Sequence, residues 1–473
     1  MGNSNQPELN TPLTNNDKKT KNGFTSKIGF VLAAAGSAIG LGNLWRFPYL
    51  AAKYGGGIFV LCYIILAVTI GFALLVLEIG IGRKTGKSVI GAFPSLNKKF
   101  KWFGYICVIV PMIIVPYYCV IGGWVTKYIY AFIIGDAGII GNVDATVSGN
   151  FFSSFISNPI EPLIFFLIYA GLGIVIVAFG VQKGIEKMSK ILMPILAIMA
   201  IFLMIYVLCQ PGAFEGVGYF LIPDFSKFSF ATVLSALGQL FYSMSLAMCI
   251  MITYGSYMKK EDSIPSSARQ ISIFDTAFAI IAGLIIIPAI FAYSPDSSVA
   301  LQKPGPSLMF IQLPVIFNTI PGGRIIGAIF FILVFFAALT SSISLIESIV
   351  AVLCENGKMK RVTACCIVFC IVLVLGALSS LGFGVLSGFS FQFQGEAKGI
   401  LDFFDILANN VLMPIVAIIT CVFAGWCIDK TIIPKEIGYD KSKLKTNYFN
   451  VMIRFVAPIC ILAILLSGLF LTF

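Results

Sequence analysis

Residues 36–57, GSAIGLGNLWRFPYLAAKYGGG, decide how the rest of the chain is read. They begin inside the first long apolar run, 28–50, yet Gly36, Gly40 and Gly42 crowd its middle and Asn43, Arg46 and Pro48 follow at once. Each Gly disfavours helix by about 1 kcal/mol relative to Ala. Irregular backbone facing lipid leaves its N–H and C=O groups unsatisfied, so a break at membrane depth is tolerated only where it lines a protein cavity. Close packing of helices through small residues would account for the glycines, but not for Asn43 and Arg46. A helix interrupted over a polar cavity accounts for all of them.

The surroundings are those of a membrane protein. Of 473 residues, 58% are hydrophobic and 11% charged, with mean hydropathy +0.97. A soluble domain carries about a quarter charged residues. Apolar runs between charge clusters predict eleven spans, near 28–50, 57–82, 102–131, 161–181, 188–209, 229–256, 270–292, 324–353, 362–386, 400–427 and 450–471. The stretch 293–323 holds five Pro and reads as a re-entrant or capping loop. Residues 1–27 are polar and rich in Asn and Thr, with no short apolar core and small-residue cleavage site behind them, so no cleaved signal peptide is expected.

Net charge is +11, which invites a nucleic-acid partner. Placement of the charges argues otherwise. Lys and Arg gather in the amino-terminal arm and in every second connection: Arg83–Lys101, Lys183–Lys190, Lys259–Arg269, Lys358–Arg361 and Lys430–Arg454. The intervening connections hold only Lys127, Lys227, Lys303, Arg324 and Lys398. By the positive-inside rule the amino terminus is cytoplasmic and, with eleven spans, the carboxyl terminus extracellular. The basic excess is topology in a lipid bilayer, and no nucleic acid is called for. There is no His, which excludes a His relay or His-ligated metal, and the 12 Cys lie mostly in apolar runs with no zinc spacing. An enzyme's convergent nucleophile, base or metal ligands are missing, and eleven spans do not suggest a small oligomeric channel. Nothing in the sequence fixes the oligomeric state.

The sixth run, residues 231–257, carries Gln239, Ser243 and Ser245 at mid-depth. As sixth of eleven, it heads a second set of five. Paired interrupted segments in corresponding places point to the binding site of a transporter. The division expected is an arm (1–27), two five-helix repeats (28–209 and 229–427), and a cytoplasmic loop with an eleventh helix (428–473).

The stretch 36–57, with LEIGIGR (77–83), Tyr117–Tyr118, LGQLFYSMSL (237–246) and FAALTSSISLIE (336–347), resembles the neurotransmitter:sodium symporter family over roughly residues 24–430. The resemblance implies an all-α polytopic fold of the leucine-transporter type: eleven transmembrane helices, as a five-plus-five inverted repeat and one extra. It implies a sodium-coupled symporter of a small amino acid. Another zwitterion, an osmolyte or γ-amino acid, stays open, as does a sensor that binds without transporting.

The resemblance also implies two sodium sites. One would use the Ala38 carbonyl, Asn43, Ser243 and Asp275 with the substrate's carboxylate. The other would use the carbonyls of Gly36, Ile39 and Ala337 with the hydroxyls of Thr340 and Ser341. Asp275 stands out without any comparison, since a carboxylate inside a span is costly and marks function. Chloride-requiring members have Asn or Ser nearby, so Asp275, beside Tyr63, Gln239 and Ser243, implies chloride independence. The substrate carboxylate would meet the N–H groups of Leu41 and Gly42 and the Tyr118 hydroxyl. Gly40 stands where amine-transporting relatives have Asp, which favours an amino acid. Ile114, Tyr242, Ser245, Met248 and Leu345 would form an apolar side-chain pocket for a hydrophobic or aromatic amino acid. Family members often have Gly-x-Gly where this chain has Ala247, Met248 and Cys249, which suggests a tighter break in the sixth span. Arg46–Asp405 would form an outer gate and Lys21–Glu355 an inner one, with Phe24 in place of a common Trp. Gly184 and Pro194 bracket a segment that would unwind. Glu78 and Glu347 would support the interrupted helices.

Overall fold

The computed structural model describes residues 23–293 and 305–470. The first apolar run is divided into α1 (Lys27–Ala38) and α2 (Gly42–Lys53), bent by 49°. There follow α3 (Gly57–Thr85), α4 (Phe103–Ile134), α5 (Glu161–Ala178) and α6 (Val181–Leu208). The sixth run is also divided, into α7 (Phe230–Ser243) and α8 (Ile250–Ser256). Then come α9 (Ile264–Tyr293), α10 (Gly323–Asn356), α11 (Arg361–Leu381), α12 (Ile400–Cys427) and α13 (Lys443–Phe470). The only sheet among the described residues is the hairpin Phe391–Phe393 with Glu396–Lys398.

Among the described residues, nine helices are long and apolar enough to cross a membrane, ten if α1 and α2 count as one. An eleventh crossing rests on α7 and α8, which at 14 and 7 residues are each too short alone. Of the proline-rich stretch, 305–319 is helical rather than open loop, with the 12 residues Leu308–Thr319 as its apolar part. It caps α4: the Tyr128 hydroxyl donates to Phe310 O at 2.7 Å, and the Phe310 ring lies 5.8 Å from that of Trp124 and 6.4 Å from Trp45.

Local chemistry explains the divided helices. Ser26 caps α1 by accepting from Gly29 N at 3.1 Å, and three Ala carry the helix to Gly36. It stops where Ile39 turns extended, with ψ 99°. α2 restarts through a wide turn over Gly42–Arg46, which passes into regular helix at Phe47–Pro48. α7 begins on the Ser229 cap, which accepts from Thr232 N at 3.1 Å. α10 runs along α4, and α1 packs against both α9 and α10, so the break in α1 falls at the centre of the packed helices.

Candidate functional site

Where α1 ends, its carbonyls leave helix register and meet α10. Ser341 Oγ lies 3.4 Å from Gly36 O, 3.0 Å from Ser37 O, 3.4 Å from Ile39 O and 3.2 Å from Ala337 O. One hydroxyl proton cannot satisfy four carbonyls. The surplus of oxygen lone pairs is the chemistry of a hard cation, which takes oxygen ligands. Thr340 flanks the group, its Cβ 3.2 Å from where a Cβ on Gly36 would stand. Its hydroxyl bonds back to Phe336 O and Ala337 O at 3.1 and 3.0 Å, the ordinary habit of Thr in a helix. Gly36, Ile39, Ala337, Thr340 and Ser341 are thus brought together as expected. Ser37 joins them, and nothing in its sequence context separated it from a small packing residue.

A second polar cluster surrounds Asp275, which is fully buried on α9. Its Oδ1 accepts from Asn43 Nδ2 at 2.8 Å and Ser243 Oγ at 2.6 Å, and its Oδ2 from Tyr63 Oη at 2.8 Å. Three donors answer the charge, as a buried carboxylate requires. Asn43 Oδ1, expected to face an ion, instead accepts from Gly40 N at 3.2 Å and so closes the break on itself. Gln239, expected beside Asp275, donates to Gly42 O at 2.9 Å.

Between the clusters lies a cavity of about 20 Å³. Ala38, Gly40, Gly42, Ile114, Tyr118, Tyr242, Ser243, Ser245, Met248, Ser341 and Leu345 line it, with Ser37 and Ile250 in addition. Leu41 contributes backbone only: its N–H donates to Tyr118 Oη at 3.2 Å, so each occupies the other rather than pointing freely inward. A Cβ on Gly40 would stand 2.5 Å from Ser341 Oγ and 2.8 Å from Tyr118 Oη. One on Gly42 would stand 2.7 Å from the Tyr242 ring. A side chain at either position would require these neighbours to shift.

The second break corrects the sequence reading. It is not tight: six residues, Met244 to Cys249, separate α7 from α8. Ser245, Ala247 and Cys249 take left-handed φ of 53°, 60° and 65° without Gly. Glu78 on α3 holds the strained loop, accepting from Ala247 N at 2.7 Å, while its other oxygen has no partner. Ser245 ties the breaks together, 3.1 Å from Ser37 Oγ and donating to Ser37 O at 3.0 Å.

The outer gate also differs from expectation. No ion pair joins Arg46 to Asp405: the guanidinium lies 5.3 Å over the Tyr242 ring, while Asp405 accepts from Asn409 Nδ2 at 2.6 Å, which also donates to Tyr117 Oη at 3.3 Å. Both line a separate cavity of about 310 Å³, and Tyr242 lines this cavity and the small one alike. Lys21 lies outside the described residues; Glu355 accepts from Ser88 N at 2.7 Å. Glu355 lines a cavity of about 550 Å³ on the face where the described chain begins. There Glu347 pairs with Arg361 and accepts from Tyr257 Oη at 2.8 Å, a network for which Arg361 gave no signal beyond its charge. Phe24 is buried at the same face, edge-on to Tyr254 at 5.4 Å. On this face too, Arg83 and Lys260 bond Glu436 at 2.8 and 3.0 Å. Burial would raise the Glu436 carboxyl, but those two partners outweigh it and hold it below the usual range.

Residues 21–136 and 158–472 match the model of the sodium:neurotransmitter symporter family. An uncharacterized sodium-dependent transporter of Bacillus subtilis, YhdH, is 35% identical over 94% of the chain and 97% of its own length. A sodium-dependent transporter of Methanocaldococcus jannaschii is 32% identical over 85% of the chain and 81% of its own. The crystal structure of MhsT in complex with L-phenylalanine is similar at TM-score 0.84 and 38% identity, covering 95% of this chain and all of that one.

Proposed function

Because the chain belongs to the sodium:neurotransmitter symporter family, we propose that it imports a small hydrophobic or aromatic amino acid with sodium, by alternating access and without chloride. Family and relatives are sodium-dependent membrane transporters, not enzymes. The finer reading rests chiefly on one observation: a broken helix places three carbonyls around one hydroxyl of α10, which also faces the Ala337 carbonyl of its own helix, beside a cradle lined by Gly40 and Gly42.

Two sodium ions enter this reading as cargo. One would be held by the carbonyls of Gly36, Ile39 and Ala337 with Thr340 and Ser341, whose hydroxyls rotate away from their present carbonyl partners. The other would be held by Ala38 O, Asn43, Ser243 and Asp275, with the substrate carboxylate completing the set. Turning the Asn43 amide over presents its oxygen to that ion. Gly40 argues for an α-amino acid: with no carboxylate of the protein's own at this position, the negative charge would come with the substrate. Asp275 carries a fixed charge at the place where other members recruit an anion, which supports chloride independence. The apolar wall of Ile114, Met248, Ile250 and Leu345 suits an apolar side chain, and a thioether adapts to several shapes. MhsT, with L-phenylalanine bound, is consistent with that class.

Opening to one side requires Tyr242 to swing and Arg46 to close toward Asp405. Opening to the other requires the Glu347–Arg361–Tyr257 network and the start of α1 to part. The basic connections put this latter face in the cytoplasm, the amino terminus with it and the carboxyl terminus outside. Eleven spans follow if α7 and α8 together make one crossing, in two five-helix repeats and a last helix. Uptake of radiolabelled amino acids into proteoliposomes tests the whole. Phenylalanine or a similar side chain should accumulate with an inward sodium gradient and equally in gluconate. Accumulation without sodium, or strict need for chloride, would overturn it.

A further inference from the structure

α1 and α6 touch at two levels, seven residues apart on each helix. At the upper level Gly36 approaches α6 so closely that a Cβ would stand 3.1 Å from Met193 Sδ. At the lower level stands Glu186, a carboxylate with 1% of its surface exposed, closing the wide turn Val181–Glu186. It accepts from Thr25 N at 2.8 Å, Thr25 Oγ1 at 2.5 Å, Ser26 Oγ at 3.4 Å and Lys190 Nζ at 2.7 Å. Gly29 permits this approach, since a Cβ there would stand 2.0 Å from Glu186 Oε1. Ser26 is at once the cap of α1 and a Glu186 partner. Gln182, in the same turn, donates to Gly23 O at 2.9 Å.

We propose that Glu186 is a positioning residue: it latches the start of α1 to α6, and so sets whether the Gly36 and Ile39 carbonyls face Ser341. The inference rests on the alternating-access reading. Positions seven apart lie on one face of a helix, so Glu186 and Met193 fix α1 at two points along its 12 residues. α1 is rigid between those points; releasing the lower one tilts the helix and withdraws its carbonyls from α10. Charge-assisted bonds are roughly twice as strong as neutral ones, which makes a carboxylate an effective latch. Lys190, 40% exposed, stays with Glu186 on α6 when α1 leaves, so the open state does not strand a buried charge. That is what separates a latch from a permanent brace.

The test uses the full chain in lipid nanodiscs, by hydrogen exchange and by sodium-dependent binding of L-phenylalanine. Thr25→Ala and Glu186→Ala should speed exchange in residues 23–38 and 181–194 by about 10-fold, the effect of one or two lost hydrogen bonds. They should leave α10 unchanged and raise the half-saturating sodium concentration several-fold. Lys190→Ala, which keeps the Thr25 bonds but leaves the Glu186 carboxylate unpaired once α1 departs, should slow exchange in residues 23–38 below the wild type. Glu186→Gln keeps an acceptor and should fall between. Unchanged exchange in Thr25→Ala, or acceleration spread over all helices, overturns the latch. If the wild type binds no amino acid with sodium, the transport reading fails, while exchange in the two segments still decides the latch.

Discussion

The breaks in α1 and in α7–α8 meet at Ser37 and Ser245, yet are built in opposite ways. The first is short and rich in Gly, closes its own groups through Asn43 Oδ1 on Gly40 N, and turns its carbonyls outward to Ser341. The second is six residues long, has three non-Gly residues at positive φ, and is held from outside by Glu78. Close approach therefore dictates the first, where a side chain has nowhere to go. A buried acid dictates the second, where strain in the backbone is over-determined by its neighbours. The first break presents oxygen and suits ions; the second presents Met248, Ile250 and Tyr242 and suits a side chain.

The largest effect should come from adding one carbon to the first break. Gly40→Ala places its Cβ against Ser341 and Tyr118, and overpacking of about 1–3 kcal/mol converts to roughly 5–150-fold weaker sodium-dependent phenylalanine binding. Equilibrium binding across a sodium titration measures it. Near wild-type affinity would mean that the cradle yields easily and does not select the substrate. Asp275→Asn should come next. It keeps one acceptor oxygen for the Asn43, Ser243 and Tyr63 donors but removes the charge, so uptake should fall several-fold, about 1–2 kcal/mol, and become stimulated by chloride. Uptake at constant sodium, with chloride replaced by gluconate, is the measurement; indifference of both proteins to Asp275's charge would remove the basis for chloride independence.

The same contrast explains what could be read from sequence. Gly36, Gly40 and Gly42, with Asn43 and Arg46 behind them, mark a helix break in an apolar run, so the first break is legible in the sequence. The second break was misjudged because Ser245, Ala247 and Cys249 carry no local signal for positive φ; their conformation comes from Glu78, 169 residues from Ala247 in the chain. Arg46 and Asp405 were recognisable as charges near one mouth, but whether they touch depends on Tyr242 and Asn409, which compete for them. Glu186 lies in a segment whose local signals are Gly184 and Pro194. Its partners at the start of α1 are 160 and 161 residues away, and no period in the sequence encodes that distance.

A smaller effect should separate the two oxygens of Glu78. Glu78→Leu leaves the Ala247 N–H buried without an acceptor, a cost of about 1–3 kcal/mol. Glu78→Gln keeps the acceptor and should lose less, because the second oxygen has no partner to forfeit. Thermal unfolding in detergent should rank wild type above Gln and Gln above Leu. Equal loss in both variants would mean that charge, not acceptance from Ala247, sustains the break.

The smallest effect should come from Ala247→Gly, the reverse of the change at Gly40. At φ 60° an L side chain costs about 1–2 kcal/mol that Gly escapes. Against this, Gly loses more chain entropy on folding, about 0.4–1 kcal/mol, and the buried methyl forfeits about 0.8 kcal/mol. These terms nearly cancel, so the melting midpoint and phenylalanine affinity should both stay close to wild type. A carbon added at the first break would thus be disabling, and one removed from the second almost silent. If Ala247→Gly instead destabilised the protein as much as Glu78→Leu, side-chain packing would be what shapes the second break, and Glu78 would merely fill the space behind it.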